Sequence, residues 1–286
     1  MPRGGSGELT LAAVVDALET EYPLDWAEDW DRVGLVVGEE HAPVRSVLLA
    51  VDPTVAVVAE AMEKNCDLLI THHPLLLRPV SFLPASTGKG RVVTELIRSQ
   101  IALWCGHTNV DRSLQGTVGA WIAALDLQDA QPLASTPSSG DTVNDGGGLF
   151  GLGAVGSLPE ATTVEQLARA ISSLVPATAQ GIRFTGAGDR TVRRIAVCPG
   201  AGDSFLPAAA EADVDVYITS DLRHHTALEH LESAGEPGTV PALIDVAHFA
   251  SEGLWLPLAQ RLLQERFPEL EVLISTVSTD PWSGRV

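Results

Sequence analysis

Short apolar runs alternate with helical patterns along most of the chain, and this alternation predicts an α/β fold. A continuous apolar run is typical of a strand that is buried on both faces of a sheet, whereas the segments between these runs place apolar residues on one helical face. In the first part of the chain the predicted strands are residues 47–51, 67–71 and 101–105, preceded by a turn that leads into a short strand within residues 26–38. The predicted helices are residues 11–18, 54–65, 92–99 and 116–125.

The second part of the chain repeats this rhythm. Its predicted strands are residues 195–198, 214–219, 242–245 and 271–275, and its predicted helices are residues 204–212, a helix that ends near Ala234, and residues 254–263. Pro257 is expected to lie in or to kink the last helix. The residues from Gly151 to Gly156 match the spacing of a dinucleotide-binding fingerprint. Because Pro159 follows and the next helix begins only near Thr163, no dinucleotide site is predicted.

Between the two parts, the composition changes to Pro, Ser, Thr, Asp and Gly without periodicity. We therefore predict a flexible linker at residues 131–148, a first α/β half at 1–130 and a second at 149–286. The C-terminal segment, from about 240 to 286, is expected to pack back onto the first half.

The two halves also resemble each other in sequence. The run from Arg45 to Val51 pairs with the run from Arg193 to Val197, and Asp67-Leu68-Leu69-Ile70-Thr71 pairs with Asp215-Val216-Tyr217-Ile218-Thr219. After these strands, His72-His73 pairs with Ser220-Asp221. Two matches in the same order suggest an internal duplication of one α/β unit.

Composition and charge exclude several classes of protein. The chain has 286 residues, 45% of them hydrophobic, and a formal net charge of -19. This acidic balance disfavours nucleic acid as a partner. No run is long enough to span a membrane and no signal-peptide core is present, so we expect a cytoplasmic protein. The three scattered cysteines, Cys66, Cys105 and Cys198, predict neither a disulfide framework nor a zinc knuckle.

Histidines follow the predicted strands. His72 and His73 end the apolar run at Leu68–Thr71, at the edge where open α/β sheets bind ligands. Two segments, His107 to Asp111 and His248 to Glu252, have a histidine and a carboxylate four residues apart after a strand, so in a helix both side chains share one face. The alternatives are solvated surface histidines and a simple helical hydrogen bond. The clustering favours a metal site with nitrogen and oxygen ligands, suited to Zn, Fe, Mn, Co or Ni.

At these positions the chain resembles the GTP cyclohydrolase I type 2 homologue family, also called the NGG-interacting-factor-like family. The matching segments are residues 30–35 (WDRVGL), 71–75 (THHPL), 107–111 (HTNVD), 220–225 (SDLRHH), 245–252 (DVAHFASE) and 279–282 (TDPW). The chain departs from the family pattern at Ala247, where glycine is usual, and at Ala154, where the family usually has arginine. Some longer relatives carry an extra domain between the halves, for which residues 131–148 are too short.

The resemblance implies two α/β halves with a dinuclear metal site between them, assembled into a homohexamer. It implies that two divalent ions are bound by His72, His73, Asp111, His248 and Glu252, with Glu252 bridging them. His73 and Asp111 would complete one site, and His72 and His248 the other.

Three further histidines have no assigned ligand role. His107, His224 and His225 are candidates for acid–base catalysis or for orienting the metal ligands. The alternative for each of them is a structural role, because spacing alone does not define where an imidazole points.

Two functions remain open at this point. The first is a metal-dependent hydrolase that acts on a nucleotide or related small molecule, as the GTP cyclohydrolase name suggests. The second is a non-catalytic metal-binding scaffold or partner-binding protein. The sequence shows no phosphate-binding loop of the familiar glycine- and lysine-rich type, so it does not define the substrate.

Overall fold

The computed structural model describes residues 8–134, 150–233 and 239–286. The strands are β1 (Gly34–Val37), β2 (Ser46–Ala50), β3 (Leu68–Thr71), β4 (Ala102–Cys105), β5 (Gln128–Ala134), β6 (Leu152–Thr163), β7 (Arg183–Phe184), β8 (Thr191–Ala201), β9 (Val216–Ser220), β10 (Ala242–Val246) and β11 (Glu271–Ile274). The α-helices are α1 (Leu11–Glu21), α2 (Val55–Glu63), α3 (Gly88–Arg98), α4 (Thr108–Asp111), α5 (Thr117–Ala124), α6 (Val164–Leu174), α7 (Leu206–Glu211), α8 (His224–Glu232), α9 (His248–Gly253) and α10 (Leu256–Arg266). The predicted α/β class is confirmed.

The chain forms two compact units. The first contains the residues up to Val110 together with Leu256–Thr279, and the second contains Asp111–Trp255 and Asp280–Val286. The division predicted from the sequence differs from this one. It placed the first boundary at residue 130, and it expected all residues from about 240 onwards to pack back onto the first half. In the structure β10 and α9 stay in the second unit, because β10 pairs with β9 along its whole length.

The first unit is built on a five-stranded sheet in the order β1-β4-β3-β2-β11. Four neighbouring strands are parallel, and β1 is antiparallel to β4 at one edge. All residues of β2, β3 and β4 are buried, which explains why they have continuous apolar sequences. Helix α2 begins after Thr54, whose hydroxyl accepts a hydrogen bond from the Val57 amide.

The second unit is built on a six-stranded sheet in the order β5-β6-β8-β9-β10-β7. Strands β8, β9 and β10 are parallel, whereas β5, β6 and β7 add antiparallel pairs at the two sides. Helix α6 begins after Thr163 as predicted, with the Thr163 hydroxyl accepting from the Gln166 amide. The apolar core of this unit includes the fully buried Trp121, whose indole N–H donates to the Ser251 carbonyl.

The two sheets share the same central topology, which supports the predicted duplication. The order β1-β4-β3-β2 of the first sheet corresponds to β7-β10-β9-β8 of the second, with one antiparallel edge strand in each case. One side-chain contact is also repeated. Asp67 accepts hydrogen bonds from the Arg45 and Ser46 amides, and Asp215 accepts from those of Arg193 and Arg194.

Three local predictions need correction or completion. Residues 131–134 of the predicted linker form part of β5, and the other linker residues up to 148 lie outside the described residues. The glycine-rich run from Gly151 continues into β6, an unpredicted strand that accommodates Pro159 at an irregularity in its pairing with β8. Pro257 lies in the first turn of α10, where it breaks no helical hydrogen bond.

Within the described ranges, no helix has both the length and the apolar character needed to cross a membrane.

Candidate metal centre

The two histidines at the end of β3 are held by the backbone of the neighbouring strand. The His72 amide donates to the Ala50 carbonyl at 3.2 Å, and the His73 amide donates to the Val51 carbonyl at 2.9 Å. His72 is completely buried. Its Nδ1 lies 2.9 Å from the Gly106 carbonyl oxygen. Because a carbonyl can only accept, Nδ1 carries the proton and Nε2 presents a lone pair.

His73 is oriented by a carboxylate that was not identified from the sequence. Its Nδ1 lies 2.7 Å from Asp52 Oδ1, and the other oxygen of Asp52 accepts a hydrogen bond from the Thr279 hydroxyl. Asp52 follows β2, so the ends of β2 and β3 bring the pair together. A carboxylate on Nδ1 fixes the tautomer and makes Nε2 a better metal ligand.

His107 has the same kind of partner. Its Nδ1 lies 3.0 Å from Oδ1 of the buried Asp31, whose second oxygen accepts from the Thr108 amide and hydroxyl at 3.0 and 2.6 Å. Burial alone would raise the pKa of Asp31, but its hydrogen bonds and charge interaction with His107, and the hydrogen bonds from Thr108, hold the pKa well below its usual range. Asp31 therefore stays ionised.

The three imidazoles form a group in the first unit. His72, His73 and His107 each offer one ligand atom within 4.8 Å of the others. The ring centroids are 5.1 Å apart for His72 and His73, and those rings lie 5.2 and 5.6 Å from the His107 ring. The structure thus adds His107, predicted only as an auxiliary residue, to the histidines that can approach one ion.

In the second unit, His248 and Glu252 lie one turn apart on α9, as their spacing predicted. His248 Nε2 is 2.9 Å from Glu252 Oε1, and His248 Nδ1 is 2.7 Å from Asp221 Oδ2. Glu252 is 3% exposed, which excludes the alternative of a solvated surface residue. His248 Nε2 and Glu252 Oε1 are therefore close enough to bind one cation together.

Gly200 allows the backbone of β8 to approach this pair. Its φ is +68°, and an added Cβ would lie 2.4 Å from Glu252 Oε1 and 3.4 Å from His248 Nε2. The Gly200 carbonyl accepts from the Thr219 hydroxyl at 3.0 Å, and its amide contacts the Ser251 hydroxyl at 3.4 Å. A glycine is therefore required both by the backbone conformation and by the carboxylate beside it.

Asp111 ends α4 and belongs to the second unit. Its Oδ1 accepts a hydrogen bond from the Thr117 hydroxyl at 2.5 Å. Burial, with contributions from the negative charges of Asp111 and Glu252, raises the pKa of the Cys198 thiol to about 12. Asp111 and Glu252 belong to the same unit, and the charges of both act on this buried thiol.

His224 and His225 do not join the candidate ligands. Both are exposed at the start of α8, with their rings 5.1 Å apart, and no group of three closely spaced candidate ligands in the described part of the chain contains either of them. The ligand-orienting role predicted for His224 and His225 is filled at His248 by Asp221, which comes three residues before His224.

His224 and His225 therefore have a different setting from the one expected. His224 lines a cavity of about 380 Å³ in the second unit, together with Arg183 and Asp245, and His225 is not among the residues that line it. Helix α8 begins at His224, so the two side chains leave adjacent helical positions in different directions. Farther along α8, His230 is buried and bonds the Pro241 carbonyl, a structural role.

The contacts of the remaining histidines fit a divalent metal. In His72, His73, His107 and His248 alike, Nδ1 is held by an oxygen acceptor, an arrangement that orients Nε2 as the ligand atom in metal-binding histidines. The three acceptor carboxylates, Asp31, Asp52 and Asp221, were not assigned a role from the sequence. Each lies close to a strand end. Asp31 and Asp221 belong to segments that match the family pattern, and Asp221 also aligns with His73 in the duplicated unit, whereas Asp52 had no such signal.

Comparison with known proteins gives the same relationship as the motifs. The family model described as Duf34/NIF3 (NGG1p interacting factor 3) matches residues 9–281. This chain belongs to the DUF34/NIF3 family. The predicted family is therefore confirmed.

The similar proteins cover nearly the whole chain. A "GTP cyclohydrolase 1 type 2 homolog" from Streptomyces coelicolor is 44% identical over 280 residues, which cover 96% of this chain and 94% of that protein. "NIF3-like protein 1" from Drosophila melanogaster is 31% identical, with coverage of 95% and 88%. Among solved structures, a hypothetical protein from Staphylococcus aureus is similar, with a TM-score of 0.84 at 29% identity and coverage of 96% and 99%.

Proposed function

We propose that this protein is a metal-dependent hydrolase that acts on a nucleotide or a related small molecule. The proposed ligands are His72, His73, Asp111, His248 and Glu252, which would bind two divalent ions. The observation that carries the proposal is the shared hydrogen-bonding state of the histidines, whose Nδ1 atoms are all held by oxygen acceptors.

The ligand types restrict the metal. Imidazole and carboxylate ligands suit Zn, Fe, Mn, Co or Ni. Thiolate ligation is disfavoured, because burial raises the pKa of Cys105 and of Cys198 to about 12 and so keeps both thiols protonated at neutral pH.

Five protein ligands leave positions open on two ions, and divalent ions in such sites polarise a substrate and activate water. His107 is the proposed general acid or base. Asp31 accepts the hydrogen bond of its Nδ1, so Nε2 is the atom that faces a substrate as proton donor or acceptor. The same contact would orient His107 if it were instead a ligand.

Relatives are named after GTP cyclohydrolase, and GTP is therefore the first substrate to test. The experiment compares release of product from GTP, other nucleotides and simple phosphoesters by protein loaded with each candidate metal. We expect metal-dependent turnover that chelation abolishes. We expect His107→Ala to keep its metal and to lose about 10²- to 10⁴-fold in kcat.

The variants His73→Ala and Glu252→Gln serve as metal-ligand controls and should lose metal and turnover together. His225→Ala is the matched histidine control, because His225 is exposed and lies outside the candidate ligand groups, and it should keep both. If every metal-loaded preparation is inactive on the full panel, the hydrolase proposal is wrong. If His107→Ala loses metal instead, His107 is a ligand.

A second candidate function is that of a non-catalytic metal-binding scaffold that binds a partner. The family description names NIF3 as an interacting factor, which is a statement about a protein contact. For this chain, the scaffold function predicts that the metal ligands are needed for stability or assembly while no substrate is turned over. Metal removal followed by urea unfolding and light scattering, alongside the activity assay, separates the two functions.

A further inference from the structure

Trp30 combines an exposed aromatic ring with a fixed backbone. Its side chain is 55% exposed, whereas the next residue, Asp31, is 5% exposed. The Asp31 amide donates to the Glu28 carbonyl at 2.8 Å, and the Glu28 amide donates to the Thr108 hydroxyl at 2.9 Å. These contacts hold the chain on either side of Trp30, so the indole is presented to solvent from an ordered position.

The indole lies beside the three-histidine group. Its ring centroid is 5.9 Å from that of His107, with the two planes at 78°, so the rings meet edge to face. The His107 ring in turn lies 5.2 and 5.6 Å from those of His72 and His73. An edge-to-face contact on one side, together with the high exposure, leaves indole surface available to a ligand at the histidines.

The charges around Trp30 indicate which part of a ligand this surface can accept. The acidic residues Glu28 and Asp29 come directly before it in sequence, and the Arg32 guanidinium is already bonded to the Asp29 and Asp31 carbonyls. An anionic group would be repelled at this position. A neutral planar ring would not be, because stacking requires only an aromatic face.

We propose that Trp30 is a stacking platform for the planar ring of a ligand whose anionic part is bound at the metal-ligand histidines. The matching ligand class is a nucleotide, with its base on Trp30 and its phosphates at the proposed metal site beside the three histidines. This inference rests on the proposed function for the metal and deepens it, because it assigns the residue that recognises the base.

The test is calorimetric titration of the metal-loaded, full-length protein with GTP and, separately, with inorganic tripolyphosphate, which lacks the ring. Trp30→Ala should bind GTP roughly tenfold more weakly, and Trp30→Phe should retain most of the affinity. Tripolyphosphate should bind all variants equally. Phe82→Ala is the matched control, because Phe82 is an exposed aromatic residue of the same unit, at 86% exposure, and should bind GTP like the unmodified protein.

The inference is overturned if Trp30→Ala binds GTP with unchanged affinity, if GTP and tripolyphosphate lose affinity equally, or if metal-loaded protein binds no GTP. A changed mass in light scattering with unchanged GTP affinity would instead assign Trp30 to a contact between copies. The hydrolase proposal is tested by a different result. If GTP binding depends on the ring but GTP is not turned over, the hydrolase proposal is wrong and the stacking role of Trp30 is supported.

Discussion

At the scale of single residues, the most informative atoms are the histidine Nδ1 nitrogens. Each of four such nitrogens contacts an oxygen acceptor, although the acceptors come from different strand ends in the two units. The acceptors belong to Gly106, Asp52, Asp31 and Asp221. A histidine that serves only to fill space needs one satisfied nitrogen, as His230 shows. The arrangement is repeated at four histidines, and this repetition supports the proposed roles of their Nε2 atoms: metal binding in His72, His73 and His248, and proton transfer in His107.

The contact between Asp52 and His73 gives the first prediction. Asp52→Asn keeps the shape of the side chain but removes the charge that strengthens His73 as a ligand, so metal affinity should fall about 10- to 100-fold. Competition with a chelator measures the metal affinity of Asp52→Asn and of the unmodified protein. The exposed Asp16→Asn is the charge-matched control and should keep full affinity. Equal affinity in Asp52→Asn and the control would show that His73 binds no metal.

Glu252 gives the second prediction. If its carboxylate bridges two ions, Glu252→Gln should lower the occupancy of both, because an amide lacks the charge that offsets two dications. If the ligands are distributed as the family resemblance implies, Asp111→Asn should weaken mainly the ion assigned to His73, and His248→Ala mainly the other ion. Elemental analysis of the three variants measures occupancy. Two ions per chain in Glu252→Gln would disprove the bridging role.

Gly200 gives the third prediction, with Gly181 as its matched control. The two glycines have φ values of +68° and +66°, but a Cβ at 181 would meet only the far end of the Arg285 side chain, at 3.3 Å. Both alanine variants should lose about 1–2 kcal/mol of stability from the left-handed backbone. Gly200→Ala should in addition displace the Glu252 carboxylate and weaken metal binding tenfold or more. Equal metal affinity in both variants would contradict this.

At the scale of elements, the Glu60 side chain links α2 by hydrogen bonds to the residues that follow β11. Glu60 is 8% exposed and accepts hydrogen bonds from Ser275 and from the amide and hydroxyl of Thr276, with Lys64 at 3.0 Å. Burial alone would raise the pKa of Glu60, but these contacts outweigh it and lower the pKa from 4.5 to about 2. The carboxylate therefore stabilises the fold in its ionised form.

The fourth prediction follows from the sign of this shift. A carboxyl with a lowered folded-state pKa contributes stability that is complete above pH 4.5 and is lost as pH falls towards about 2. Glu60→Gln should lower the free energy of unfolding at pH 7 on the order of 3 kcal/mol. Urea unfolding at pH 7 and pH 3 measures the gap in unfolding free energy between Glu60→Gln and the unmodified protein, and this gap should be smaller at pH 3. A gap that is the same at both pH values would contradict the assignment.

Strands and helices could be predicted where the local sequence pattern reflects their burial, and could not where it does not. Leu68–Thr71 was recognisable because both faces are buried and its sequence is accordingly apolar throughout. Strand β5 was missed because it is polar, exposed at an edge and contains Pro132. In the site, residue spacing predicted a cluster of histidines and carboxylates after the strands, and the family resemblance supplied the proposed ligand set. The contacts of Asp52 and Asp31 were not predicted, because they lie 21 and 76 residues from the histidines they hold and only the strand order brings them together.

The three histidines without an assigned ligand role were also not distinguished by the sequence. These are His107, His224 and His225, and residue spacing does not define the direction of an imidazole. The structure separates them: His107 lies among the candidate ligands, whereas His224 and His225 are exposed on α8. The direction of an imidazole depends on the turn that follows the strand, and residue spacing does not record that turn.

At the scale of the whole molecule, the dominant property is the net charge of -19. Copies of such a chain repel each other, and the repulsion extends over about 30 Å at 0.01 M ionic strength but only about 8 Å at 0.15 M. The proposed homohexamer must therefore be held by contacts that outweigh this repulsion, and added salt should favour it.

The fifth prediction is the mass in solution. Light scattering at 0.15 M salt should report about six times the 30.1 kDa of one chain, with partial dissociation at low salt. A single-chain mass at both salt concentrations would exclude the hexamer.

Strand β11 has a consequence for biosynthesis. It pairs with β2 at the edge of the first sheet, yet it is translated last among the strands, after the whole of the second sheet. At about 5–20 residues per second, the nascent chain carries β2 with an open edge for on the order of ten seconds or longer. An open parallel edge can pair with another chain, so crowded polysomes and slow codons before Glu271 should favour aggregation of this protein.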